Sequence, residues 1–560
     1  MKHTIRVLTA ILLSICILSS ASVTSSAASI GSCAASGLHT FLNKFIDVFG
    51  KGLVFIFPDS PLVKKADKFE PDERFTGTEE FLDEPAEGAV WSLGYAQASI
   101  LPDDFGTADY YKGGYSLNKK VTECIDDLKV RVIVLNDGSG RGSVAIAAVD
   151  CIGLANHDVL LIRDALSDYA EENDIVSINV SCTHTHSGID TQGVYTALFK
   201  AIAKNLTAST IKAKKLIEPA ISPDFLNNII EKTRDCVIEA NENMTTGTLS
   251  YATVNAENYV RDRTDPKILD TNLSRIMFTP DNGGKSTIIA SMGVHPEGVG
   301  FVRDQISSDF VYYTEQVLDS FGYNFIFIQG KLGTYTEKYD YTDDGIDLGD
   351  RADSVVRYGE EIGYVLAGMT LSEEERIAIS DEAREAMGAD SEKYTAWYDG
   401  LTVSDEYELE PLLNIRSEQF LVKLTNPLYA LLAKLSLADN DVYRKCFTYY
   451  SPTEAGYMQL GDITCILCPG ETYAELQLGG ENMADFPYGC LNDELGTENI
   501  LVFDLMNDAV GYIMPDKYFT YVNVYYDDGL EVTDAWGLTS VGRNAASEIY
   551  GKIYEIIEKL

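Results

Sequence analysis

The chain of 560 residues carries 86 acidic against 44 basic side chains, a net charge of −42, with 45% hydrophobic and 10% aromatic residues. That composition belongs to a globular chain with ample core, and its length allows two to four domains or one large domain with insertions. The charge excludes binding nucleic acid through its phosphates and argues against holding an anionic membrane by a basic patch.

Residues 1–28 read as a secretory signal peptide. Lys2 and Arg6 form a positive start, "LTAILLSICILSS" is too short to span a bilayer, and "SSAA" offers small residues for cleavage. The protein is therefore expected to be secreted or held at the cell surface; lipid anchoring at Cys33 is the lesser alternative. Residues 29–85 are expected as an acidic leader, within which "FLNKFIDVFGKGLVFIF" looks amphipathic and no segment has transmembrane length.

From residue 86 to 560 the pattern predicts an α/β fold. A large mixed β-sheet body is flanked by helices, with a helical insertion at about 371–440 and a site on loops at strand ends. Strands are expected at "VRVIVL", "SVAIAAV", "INVSCTHTH", "STIIASMGVH", "FIFIQG", "DITCILCPGE" and "ILVFDLMNDAVGY". Helices are expected at "DVLLIRDALSDYAEENDI", over about 192–243, and at the closing "SVGRNAASEIYGKIYEIIEKL". Cys465 and Cys468 have CxxC spacing but lie in an apolar run, which favours two small core side chains over a metal pair.

Four apolar runs end in a polar residue beside Gly or Pro: His184 and His186 before Gly188, His295 before Pro296, Glu471 after Pro469-Gly470, and Tyr512 after Gly511. Strand alternation would put Cys182, His184 and His186 on one face. Two imidazoles at the mouth of a core point to a metal or a general base. Taken alone, Glu471 reads equally as a first-turn acid at a helix start, and Tyr512 as packing. "DYTDDGIDLGD" fits a calcium loop poorly, because Arg351 stands where a bidentate glutamate is needed.

"CTHTHSG", "SMGVHPEG", "CPGETYAELQLG" and "NDAVGYIMP" together resemble the neutral/alkaline non-lysosomal ceramidase family, in its N-terminal catalytic domain. "GYAQASILPDD" resembles that domain's opening strand, and "ISSDFVYYTEQVL" its Ser-Asp element. The resemblance implies Zn2+ held by His184, His295, Glu471 and Tyr512, with His186 as a catalytic partner of the reacting water or substrate oxygen. It implies Arg261, or Arg263 in the competing register, as the substrate-side arginine. The implied activity is hydrolysis of the amide bond in N-acyl sphingoid bases or related N-acyl amides. Two departures stand out. Ile189-Asp190 replaces a Pro and small residues, and "GKLGTYTEK" puts Thr334 and Thr336 where the family has an Asp and its active-site serine. A catalytically impaired zinc-binding protein of the same fold, holding a lipid or glycan, is the alternative expectation.

Overall fold

The computed structural model describes residues 32–56, 59–115, 118–195, 222–264, 266–300, 304–338, 351–372, 374–378, 403–435, 440–484, 486–521 and 537–559. The signal peptide, much of the expected 192–243 helix and all of the acidic loop at 340–350 lie outside them.

The larger sheet is built from β1 (Trp91–Ser99), β2 (Lys129–Asn136), β3 (Ser143–Val149), β4 (Ile175–Cys182), β5 (Thr245–Asn255), β6 (Asn272–Pro280), β7 (Thr287–Met292) and β8 (Asn324–Gln329). Their order is β8-β7-β6-β5-β1-β2-β3-β4, with Tyr407–Glu408 added beside β5. β3 with β4 and β7 with β8 are parallel; the remaining neighbours run antiparallel, so the sheet is mixed. A second sheet holds β9 (Leu413–Lys423), β10 (Thr448–Leu460), β11 (Ile463–Leu467) and β12 (Ile500–Phe503), the last two parallel.

The two sheets face each other. Leu93, Ile133, Leu135 and Ile146 of the first share one buried cluster with Ile415, Met458, Cys465 and Phe503 of the second. Helices cover both outer faces. Asn156–Glu172 and Pro223–Glu242 pack on the β1–β4 half, Phe310–Ser320 and Arg351–Gly368 on the β7–β8 half, and Ala545–Glu558 on the second sheet. The result is a four-layered helix–sheet–sheet–helix body. Local chemistry sets the helix starts: Ser222 accepts from the Phe225 amide with Pro223 behind it, and Asn426 accepts from the Leu428 amide before Pro427.

Two expectations change. Within 371–440, read as charged helices, Leu413–Lys423 is an eleven-residue strand paired with β10, and Pro427–Lys434 is a short helix. Charged side chains on the less buried face of β9 mask an alternation in which Leu413, Ile415 and Ser417 point inward. The described residues of the stretch 29–85 pack on the body. Helix α1 (Ser32–Ile56) buries Ile46 and Leu53, and Lys64–Lys65 pairs with Tyr443–Lys445. Cys465 and Cys468 are buried free thiols in the core, as expected.

A buried ion pair locks layers together. Arg163, on the helix packed against β4, donates both guanidinium nitrogens to Glu454 of β10 at 2.6 and 2.8 Å, and its Nε to the Ile178 carbonyl at 3.0 Å. Glu454→Ala should leave this guanidinium buried and uncompensated, lowering unfolding free energy by about 3–5 kcal/mol. Chemical denaturation tests it, and a loss below about 1 kcal/mol would show that solvent reaches the arginine.

Candidate metal centre

His184 follows β4, but not as a continuation of the strand. β4 ends at Cys182, and His184 takes φ +66°, a left-handed turn that cancels the alternation argument. Its amide donates to the Cys151 carbonyl at 3.0 Å and its Nδ1 to the Ile152 carbonyl at 2.6 Å. His295 follows β7; its amide and Nδ1 both donate to the Tyr335 carbonyl, at 3.0 and 2.6 Å. With Nδ1–H committed to a carbonyl, each ring presents its Nε2 lone pair inward.

Those lone pairs meet Glu471. Its Oε2 lies 3.7 Å from His184 Nε2 and 3.3 Å from His295 Nε2. Glu471 is not a first-turn residue: Glu471–Thr472 is a short strand parallel to Tyr512–Ile513, with Glu471 directly paired to Tyr512. That pairing carries the Tyr512 hydroxyl to 3.2 Å from His295 Nε2. Gly511, at φ +79°, makes the pairing possible; a Cβ there would sit 1.7 Å from the Thr539 carbonyl oxygen.

His186 completes the cluster. Its ring centroid is 4.7 Å from that of His184 and 5.5 Å from that of His295, with Tyr115 against it at 4.6 Å. Both its ring nitrogens are buried and have no hydrogen-bond partner among the described residues. Gly114, at φ +115°, lets its loop approach the His186 backbone, where a Cβ would meet the carbonyl oxygen at 2.6 Å.

The electrostatics follow from burial. Desolvation holds His184 at about 4 and His295 at about 3, and pushes His186 well below its ordinary value, so all three imidazoles are neutral at physiological pH. The same desolvation raises the Glu471 carboxyl and the Tyr512 phenol. The imidazoles of His184 and His295, buried, and of His186, half-buried, have ligand atoms within 4.8 Å of one another and could hold a metal ion. Inward lone pairs and a carboxylate otherwise face one another as acceptors, a repulsion that a cation removes.

The remaining expected residues divide. Thr336, on the strand Tyr335–Glu337, bridges to His295, and its buried hydroxyl has no partner among the described residues. Thr334 donates to Asp262 at 2.6 Å instead. Arg261 is exposed, whereas Arg263 is partly buried with its guanidinium 3.6 Å from Glu297. The charge of Arg263 bears on His186, His295, Glu471 and Tyr512.

Two residues that hold these loops, Gln329 and Asp504, belong to no motif singled out in the sequence, whereas a third, Asp309, is the acid of the Ser-Asp element "ISSDFVYYTEQVL". Gln329, the last residue of β8, donates its amide to the carbonyls of Thr183 at 2.9 Å and Val294 at 2.8 Å, the residues just before the two histidines. Asp504, just past β12, accepts from the Thr472 amide at 2.7 Å and the Leu332 amide at 3.0 Å, fastening the loops of Glu471 and Thr336. Burial keeps its carboxyl well above the usual range. Asp309 accepts from the Val299 amide at 2.9 Å and tethers the loop after His295. The detectable signal was a polar residue closing an apolar run, in "FIFIQ" and "ILVFD".

No family model matches the sequence, and no curated protein does either. Among solved structures, the chain is similar to the neutral ceramidase from Pseudomonas aeruginosa, with TM-score 0.54 and 14% identity over 83% of this chain and 75% of that one. It is similar also to a ceramidase complexed with C2, with TM-score 0.53 and 13% identity over 83% of this chain and 76% of that one. The fold is ceramidase-like.

Gln329→Leu keeps the side-chain bulk and leaves two buried carbonyls unpaired, a loss of about 1–3 kcal/mol each. Metal affinity should fall about 10- to 100-fold through misplaced histidines. Calorimetric titration with a divalent metal checks this; parent-like affinity would show that the carbonyls find other donors.

Proposed function

We propose that this chain is a zinc-dependent amidohydrolase that cleaves the amide bond of N-acyl sphingoid bases or related N-acyl amides. The observation that carries the reading is the convergence of two inward imidazole lone pairs, a carboxylate and a phenol on one buried point. It is supported by the ceramidase-like fold.

His184, His295, Glu471 and Tyr512 are the residues that would hold Zn2+, a nitrogen and oxygen donor set of the kind zinc accepts. The three-imidazole grouping shares two of these. His186 differs because neither of its nitrogens is anchored by a backbone carbonyl, the usual orienting contact of a ligating histidine. Bound there, the metal would supply Lewis acidity and lower the pKa of a water toward 7.

Every other role falls to the chain. His186, neutral and unanchored, accepts the proton of the attacking water and returns it to the departing amine nitrogen. Arg263 sets a fixed positive charge beside the site, where negative charge grows on the carbonyl oxygen of the substrate. The Thr336 hydroxyl, buried and unpartnered, donates to the reacting oxygen as the family's serine would. The carbonyls of Ile152 and Tyr335 hold the two ligating rings still. The substrate is a lipid-like N-acyl amide, and secretion by the N-terminal signal would place the enzyme outside the cell.

His184→Ala and His295→Ala should each lose the metal, while His186→Ala should keep it and lose hydrolysis by roughly a hundredfold or more. Elemental analysis with single-turnover assays on N-acyl sphingosine separates these. Full zinc in both ligand variants, or zinc loss in His186→Ala equal to theirs, overturns the assignment.

Thr336→Ser should hold or raise activity, and Thr336→Val should slow it about 5- to 150-fold, the rate equivalent of about 1–3 kcal/mol, with zinc retained. Equal rates for Thr336→Val and the parent would make the hydroxyl a bystander. A parent and a Thr336→Ser variant that both bind zinc and hydrolyse nothing would favour a binding protein instead.

A further inference from the structure

Helix α1 turns two unlike faces outward and inward. Ile46, Gly50 and Leu53 face the body, with Gly50 against the Pro427 side chain. The opposite face carries Phe41, Phe45, Val48 and Phe55, which are 63, 42, 70 and 79% exposed, followed by Ile56 at 66%. Their spacing of 41, 45, 48 and 55 makes a single stripe along a helix. Isolated exposed apolar side chains are ordinary, but an aligned series on one element marks an interaction surface.

The charges along this stripe identify what covers it. Lys44 and Lys51 flank the phenylalanines and are exposed. The acid among them, Asp47, is taken up by Lys51 at 2.7 Å and by the Tyr521 hydroxyl at 3.3 Å. On a chain of net charge −42, this face is locally apolar and cationic. Phenylalanines with interspersed lysines suit a bilayer interface, where the rings enter the acyl boundary and the ammonium groups reach phosphate oxygens. A symmetric pairing of two copies through the same face would bring the lysines of one copy against those of the other. No described helix is long and apolar enough to cross a membrane.

The helix is also tied to the metal centre. Ile46 packs in the same buried cluster as Tyr512, Tyr518 and Tyr521, and the Tyr521 amide donates to Asn43 Oδ1. We propose that α1 is an interfacial docking helix that holds the protein on a phospholipid surface by its Phe41–Phe55 stripe, next to the strand that carries Tyr512. This docking does not depend on the amidohydrolase reading. A chain with no hydrolytic activity would dock equally.

The test is sedimentation of the full chain with phosphatidylcholine vesicles, whose phosphates meet the lysines without a net anionic field against the acidic body. The parent should co-sediment. Phe41→Ser/Phe45→Ser/Phe55→Ser should bind about tenfold or more weakly, because apolar insertion supplies most of the affinity. Lys44→Glu/Lys51→Glu should weaken binding by a smaller factor. Because these side chains are exposed, the variants should keep the parent's melting temperature and metal content. Failure of the parent to bind vesicles overturns the proposal, as does parent-like binding by the triple phenylalanine variant. A parent dimer that the triple variant dissolves would assign the stripe to a second copy and overturn it too.

Discussion

The centre depends on how the chain satisfies its backbone where the strands stop. Inside a sheet each carbonyl and amide has a neighbour; one residue past the end it has none, and burial makes an unpaired group costly. Gln329 and Asp504 resolve this at four loops with two side chains. One amide group serves the carbonyls before His184 and His295, and one carboxyl serves the amides beside Glu471 and in the Thr336 loop. Each bond therefore fills a strand-end vacancy and aims a side chain at the centre. The remaining geometry follows from that double duty.

Neutrality is the second theme. The deep position that gathers the imidazoles also strips their protons, so three histidines stand within about 5 Å of one another without mutual repulsion. Position then divides them. Backbone carbonyls fix the tautomers of His184 and His295, whereas His186 has only ring contacts with Tyr115 and its neighbours. Two of the rings are held as fixed donors of a lone pair, and the third keeps both nitrogens available.

Much of this was legible in the sequence because the signals were local. The runs ending in "THTHSG", "VHPEG", "CPGE" and "VGY" announced strand ends with polar residues, and all four reach one point. The stated reason failed for the first of them: His184 arrives by a left-handed turn, not by alternation, and no pattern in "SCTHTH" reveals that φ. β9 was hidden because its Arg416, Glu418 and Lys423 resemble a charged helix until β10 is known to lie beside it. That Arg263 is partly buried while Arg261 is exposed could not be read before the fold was known, and Gln329 and Asp504 needed partners more than 30 and up to about 170 residues away. Long-range pairing of that kind leaves no period in the chain.

His184 and His295 follow strands of the larger sheet, whereas Glu471 and Tyr512 follow strands of the smaller one. The converging groups thus straddle the seam between the layers, and the outermost pair is separated by 328 positions, 512 − 184. No fragment of the chain holding one sheet alone can assemble the cluster. Until the sheets dock, His184 and His295 stand apart from Glu471 and Tyr512, and the cluster does not exist. The interleaved order of the chain makes completion of the fold the gatekeeper of the centre.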